Sequence, residues 1–167
     1  IGGIIFSKGS PVAQAKLTNE FQEAAQVPLM IAMDAEWGLA MRLDSVYAFP
    51  WNMTLGALKD NALVEQAGKR IAQHCKRLGV HIDFAPDIDI NTNPQNPIIG
   101  NRSFGESKFN VAQKGVAFTK GMQSVGVLAC GKHFPGHGDT EKDSHKTLPT
   151  VSFSRERLES TEFFPFQ

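Results

Sequence analysis

Apolar residues gather in four short runs, separated by longer stretches with a helical period. The runs Ile1-Gly-Gly-Ile-Ile-Phe6, Leu29-Met-Ile-Ala-Met33, Val80-His-Ile-Asp-Phe-Ala85 and Val125-Gly-Val-Leu-Ala-Cys-Gly131 read as strands of a buried sheet. After the first run, Ser10 and Pro11 predict a helix start, with the hydroxyl as cap and the proline in the first helical position. Leu17, Phe21 and Ala24 share one face of that helix, and Pro28 stops it. Residues 37–54 read as loop. Residues 55–78 read as one helix with Leu63, Ala67, Ile71, Cys75 and Leu78 as its apolar stripe, closed by Gly79. The stretch from Asp87 to Pro97 is too rich in Asn and Pro to be regular. Phe109, Val111, Gly115, Phe118 and Met122 predict a further helix ending near Gly126, and Ser154 caps a last one that Pro165 closes. The order β-α-β-α-β-α-β predicts an α/β fold with a parallel sheet and right-handed crossovers, in an open doubly wound sheet or in part of a barrel.

The 167 residues suffice for one domain with a core, and 17 basic residues balance 17 acidic ones. That balance argues against holding nucleic acid by backbone charge. No like-charge run or basic amphipathic helix suggests a membrane surface, and no apolar run approaches the ~20 residues of a span. Cys75 and Cys130 read as free core thiols with no metal-clip spacing. The chain does not begin with Met, which reads as a cut or processed start. Gly2 and Gly3 lie inside the first strand, and no Gly-x-Gly-x-x-Gly follows it, so a dinucleotide site is poorly supported.

Chemistry-bearing residues fall after the strands' C-terminal ends, the working face of parallel sheets. Asp34 and Glu36 follow the second strand, where carboxylates can bind hydroxyls or move a proton. Asp87 and Asp89 follow the third and read as loop-organising acids that take backbone N–H bonds. A divalent-cation site is the alternative there, without the spacing of a calcium loop. Arg102 carries a planar fork for an oxygen-rich ligand, or is a solvated surface arginine. The run Lys132-His-Phe-Pro-Gly-His-Gly-Asp-Thr140 follows the fourth strand. Its Lys132 and His133 leave the strand end together as hydrogen-bond donors. His133 and His137 have the spacing of a zinc helix, but the Pro and Gly between them would break it, so no metal site is assigned. Asp143 and His145 form an acid–imidazole pair in which the carboxylate can hold one ring N–H and free the other nitrogen for proton transfer; a turn-initiating Asp beside an exposed His is the alternative. His74 and His81 read as structural or solvated.

Lys132-His-Phe-Pro-Gly-His-Gly138 with Asp143-Ser-His145 resembles the signature of glycoside hydrolase family 3, in its β-N-acetylglucosaminidase branch. Asp34-Ala-Glu-Trp-Gly38 through Arg42, Phe84-Ala-Pro-Asp-Ile-Asp89 and Ile99-Gly-Asn-Arg-Ser-Phe-Gly105 are similar to further motifs of that family, in the same order. The resemblance implies part of a (β/α)8 TIM-type barrel, about strands 2 to 5, with the first strand and those after the fifth lying outside this chain. A whole barrel takes about 250 residues. It implies a retaining hydrolase that removes terminal β-linked N-acetylglucosamine from saccharides or muropeptides, without a cofactor, with a possible C-terminal domain in a longer bacterial protein. By motif, His145 is the acid/base steered by Asp143, while Asp34, Arg102, Lys132 and His133 bind the sugar. The nucleophilic Asp is expected beyond Gln167. Most retaining glycosidases use two carboxylates, but an imidazole titrating near neutral pH can protonate the leaving oxygen and then deprotonate water. Trp37 stands where the branch has Gly. A family β-glucosidase without acetamido preference, a non-catalytic sugar-binding fragment and a metal-dependent hydrolase using His133 and His137 are the competing readings. The compartment, bacterial cytoplasm or periplasm, is not set by the sequence.

Overall fold

The computed structural model describes residues 1–139 and 153–167. Strands β1 (Gly3–Phe6), β2 (Met30–Met33), β3 (Ile82–Asp83) and β4 (Leu128–Ala129) form one parallel sheet in the order β1-β2-β3-β4. A doubly wound sheet reverses its strand order at a switch point. Here every strand pairs with its neighbour in sequence, which is the winding of part of a TIM-type barrel. Helix α1 (Pro11–Ala24) crosses from β1 to β2. The short α2 (Asn52–Gly56) and the long α3 (Asn61–Arg77) lie between β2 and β3, and α4 (Lys108–Gln123) between β3 and β4. Near the end, α5 (Arg155–Arg157) passes into a π turn and a 3₁₀ turn that takes in Pro165. Among the described residues no helix is long and apolar enough to cross a membrane.

The four apolar runs became strands, though the ladders are short. Hydrogen bonds from His81 N to Ile31 O (2.8 Å), Phe84 N to Met33 O (2.8 Å) and Cys130 N to Ala85 O (2.9 Å) carry the pairing beyond β3 and β4 proper. Ser10 caps α1 as expected, accepting from Ala13 N at 3.2 Å. The buried face of α1 differs from the expected one: Gln14 and Thr18 are buried, while Leu17 and Phe21 are each 39% exposed. The helix expected over 55–78 is two helices. Asp60 accepts from Ala62 N at 2.8 Å and starts α3 afresh, and buried Lys114 donates to Leu58 O and to Asn61 Oδ1, filling the break. The run 125–131 opens with a turn, and Cys130 is exposed rather than a core thiol.

The core lies between the sheet and its helices. Ile31 and Met33 of β2 join Val64, Ile71 and Cys75 of α3 and Val111, Phe118 and Met122 of α4 in one buried cluster. Helices α3 and α4 meet backbone to backbone. A Cβ on Gly68 would stand 2.4 Å from Phe118 O, and one on Gly121 2.0 Å from Glu65 O. Pairing register also lines up Ile5, Ala32, Ile82 and Leu128 in a single cross-strand row, in which Ile5 and Leu128 remain half exposed.

Candidate active site

Each strand ends in a polar segment, and those after β2, β3 and β4 converge. The turn after β2 brings Asp34 and Glu36 to the cleft, and its backbone is fixed from below by Asp83 of β3, which accepts from Ala35 N at 2.8 Å. Lys132, after β4, donates to Asp34 Oδ1 at 2.8 Å and lies 2.7 Å from Glu36 Oε1. Arg42 Nη2 holds the other Asp34 oxygen at 2.6 Å. Arg102 grips Glu36 with two parallel bonds, Nε to Oε2 at 2.9 Å and Nη2 to Oε1 at 2.8 Å, the fork-to-carboxylate geometry that arginine provides and lysine does not. Its Nε also lies 3.5 Å from Asp87 Oδ2.

The segment after β3 is built from side-chain-to-backbone bonds rather than regular structure. Asp87 accepts from Asp89 N (2.9 Å), and Asn96 Oδ1 accepts from Ile98 N (2.8 Å) and Ile99 N (2.9 Å) while its Nδ2 donates to His137 O (2.7 Å). Asn52 Nδ2 donates to Arg102 O at 2.8 Å and sets that arginine's backbone. Asp89 receives His133 N (3.2 Å), His137 N (2.6 Å) and the ring Nδ1 of His133 (2.6 Å). Arginine can only donate, so its Nη2 at 3.2 Å from His133 Nε2 makes that nitrogen the acceptor and places the ring proton on Nδ1, toward Asp89.

Burial and neighbouring charge compete throughout. Burial opposes ionisation of Asp34, but the Lys132 ammonium and Arg42 guanidinium outweigh it and hold the carboxyl below its ordinary range. Glu36 is likewise drawn down against its burial by Arg102 and Lys132. The two cations answer in kind. Burial alone would lower Lys132, and Glu36 and Asp34 raise it; burial would also lower Arg102, which is raised by Glu36, Asp87 and Asp89. Two acids go the other way. Burial pushes Asp83 up to about 7, with the Ala35 N–H and Lys132 resisting. Burial and the adjacent Asp89 and Glu36 push Asp87 well above the carboxylate range. Negative and positive groups are therefore nearly balanced. That suits a neutral ligand with many hydroxyls better than a phosphate, which calls for excess positive charge.

Of the residues expected to act, the structure brings together Asp34, Glu36, Arg102, Lys132 and His133. Asp34, Arg102, Lys132 and His133 line a cleft of about 320 Å³ with Arg42 and His137, and its apolar contributions come from Trp37, Met41 and Ile98. Asp143 and His145 lie outside the described residues. The segments on either side of them are anchored: Arg157 Nη2 lies 3.2 Å from both Asp139 Oδ2 and Glu162 Oε1, and Phe134 stacks on Phe163 with ring centroids 5.2 Å apart. The rings of His133 and His137 stand edge to face at 6.0 Å, not as a helical pair. Asp87, Asp89 and His133 bring ligand-type atoms within 4.8 Å of one another, but Asp89 already binds the His133 ring and Arg102 already supplies the positive charge beside Asp87. Sequence reasoning passed over Arg42 and Asp83. Arg42 ends the motif that begins at Asp34, and nothing local marks it as the second cation on that carboxylate. Asp83, an acid in an apolar run, was a visible signal.

The sequence pattern of the glycosyl hydrolase family 3 N terminal domain matches residues 1–167. A curated relative, beta-hexosaminidase A of Pseudoalteromonas piscicida, is 38% identical over 99% of this chain and 30% of its own length. Among solved structures, a glycoside hydrolase family 3 beta-N-acetylglucosaminidase from a Paenibacillus strain superposes with a TM-score of 0.92 at 45% identity, over 99% of this chain and 33% of that one. NagZ from Neisseria gonorrhoeae, solved in complex with N-trifluoroacetyl-D-glucosamine, superposes at 0.89 with 33% identity, over 99% of this chain and 52% of that one. This chain thus spans about half, or less, of the proteins it is similar to.

Proposed function

The chain belongs to glycosyl hydrolase family 3, matched over its full length to that family's N-terminal domain, and on that footing we propose that its protein removes terminal β-linked N-acetylglucosamine, with retention, from saccharides or muropeptides. The observation that carries the proposal is the cluster of Asp34, Arg102, Lys132 and His133 in the segments after parallel strands, charge-balanced by Glu36, Asp89 and Arg42. These groups grip the sugar hydroxyls. Arg42 joins them through Asp34, and Glu36 is the buried anion that holds the two main cations apart and in place.

His145, oriented by Asp143, protonates the leaving oxygen and then deprotonates the water that releases the sugar. The nucleophile is an Asp outside these residues. The chain is the part of the catalytic barrel, about strands 2 to 5, that carries the sugar grip and the acid/base loop. Release of p-nitrophenol from p-nitrophenyl N-acetyl-β-glucosaminide tests this on the full-length protein. His145→Ala should slow turnover by about 10²–10⁴-fold. An unaltered rate in that variant, or preference for the plain glucoside, would sink the assignment. The isolated 167 residues should show no sustained turnover, and robust hydrolysis by them would place the nucleophile within the chain.

A further inference from the structure

One ring in the cleft has no part in the ionic grip. Trp37 lines the cleft beside Asp34 and Lys132 and is part-buried. Its ring packs on that of Trp51, with centroids 4.0 Å apart and planes inclined by 39°. Its carbonyl accepts Phe49 N at 3.0 Å. The Phe49 ring is flanked in turn by Tyr47, edge-on at 5.0 Å, and by His74 at 5.5 Å. Gly38, the next residue, has φ 87°, and a Cβ there would meet the Phe49 ring at 2.7 Å. Glycine is needed on both counts. The segment from 37 to 51 thus acts as an aromatic buttress that pins Trp37 from the backbone side and the ring side.

A pyranose presents two chemistries. Hydroxyls surround its rim, and its faces carry C–H groups polarised by neighbouring oxygens, with partial positive charge on hydrogen. The face of an indole is electron-rich and attracts such groups. A fixed indole beside a ring of hydroxyl-binding charges therefore matches both surfaces of one sugar. At about 320 Å³ the cleft is at the small end of ligand pockets, room for one ring rather than an oligosaccharide. The geometry points to Trp37 as a stacking platform for the pyranose held by Asp34 and Lys132, a specificity residue that acts through its π face. This rests on the sugar-binding reading above and adds a recognition element to it.

Calorimetry of the full-length protein with N-acetylglucosamine, in parallel with p-nitrophenyl N-acetyl-β-glucosaminide kinetics, tests it. Trp37→Phe keeps a π face and should bind within about threefold of the unmodified protein, whereas Trp37→Leu keeps apolar bulk without one and should bind about tenfold more weakly. The loss should appear mainly in KM. Equal losses in both variants, or none in either, overturn the platform. Tight binding by the unmodified protein without hydrolysis overturns the hydrolase reading and leaves the platform standing. Hydrolysis with undiminished binding by Trp37→Leu does the reverse. Absence of sugar binding by the unmodified protein overturns both.

Discussion

Glu36→Gln is the substitution that most directly tests how the cleft is held. The Glu36 side chain is 1% exposed and neutralises two cations, accepting two bonds from Arg102 and lying 2.7 Å from Lys132. Glutamine keeps the shape but cancels the charge and turns one acceptor into a donor facing donors. Breaking a buried pair from one side costs about 3–5 kcal/mol, because the partner charge is left uncompensated. Lys132 retains Asp34 at 2.8 Å, so the expectation is the lower end, about 3 kcal/mol at neutral pH. The sign with pH follows from the lowered Glu36 carboxyl. Its contribution is complete above its ordinary value of 4.5 and is lost as pH falls through the lower folded value. Equilibrium unfolding in denaturant should therefore show a gap between the two proteins that is widest at neutral pH and closes in acid. A neutral-pH gap under about 1 kcal/mol, or one that widens in acid, would refute the counter-ion role.

Asp83 has the opposite sign. Its folded value of about 7 lies above the ordinary 3.8, so the burial penalty of the ionised form appears as pH rises between the two. Asp83→Asn should gain on the unmodified protein across that window, with a ceiling of about 4 kcal/mol set by the distance between those two values, and parallel stability–pH curves would contradict this. Asp89→Ala removes the acceptor of three hydrogen bonds and should cost at least about 3 kcal/mol while weakening N-acetylglucosamine binding; calorimetry showing unchanged affinity would exclude His133 from the grip. Gly121→Ala should destabilise by about 1–3 kcal/mol despite alanine's better helix propensity, and a raised melting temperature would show that α3 and α4 can part there.

Strand positions, the Ser10 cap and the strand-end placement of Asp34, Lys132 and His133 were legible because each depends on local pattern. Periodicity left the doubly wound alternative open; the family motifs implied the barrel, and it is shown by the strand order, which no local pattern encodes. The same holds for Glu36 and Arg102, which lie 66 residues apart, and for Asp89 and His133, 44 apart. Asp87 does organise its loop as expected, accepting from Asp89 N, but Asp89 accepts its backbone N–H bonds from His133 and His137 in the segment after β4, and these, like the proximity of Asp87 to Arg102, no local pattern encodes. The face of α1 was misjudged because apolar spacing identifies a stripe, not the neighbour it meets. The break before α3 does not show in the apolar stripe, which runs on from 55 to 78; it shows in the structure, where Asp60 accepts from Ala62 N and starts the helix afresh.

The glycine contact between α3 and α4 restricts how a cleft of this kind can diversify. With two main chains touching at residues 68 and 121, no side-chain exchange there can be absorbed by repacking. Any change shifts the scaffold on which Asp89 meets His133. Exchange at Trp37 or at the Trp51 and Phe49 that brace it alters what the cleft admits while leaving Arg102 and Lys132 where they are, so adaptation to a new ligand is channelled into those aromatic positions.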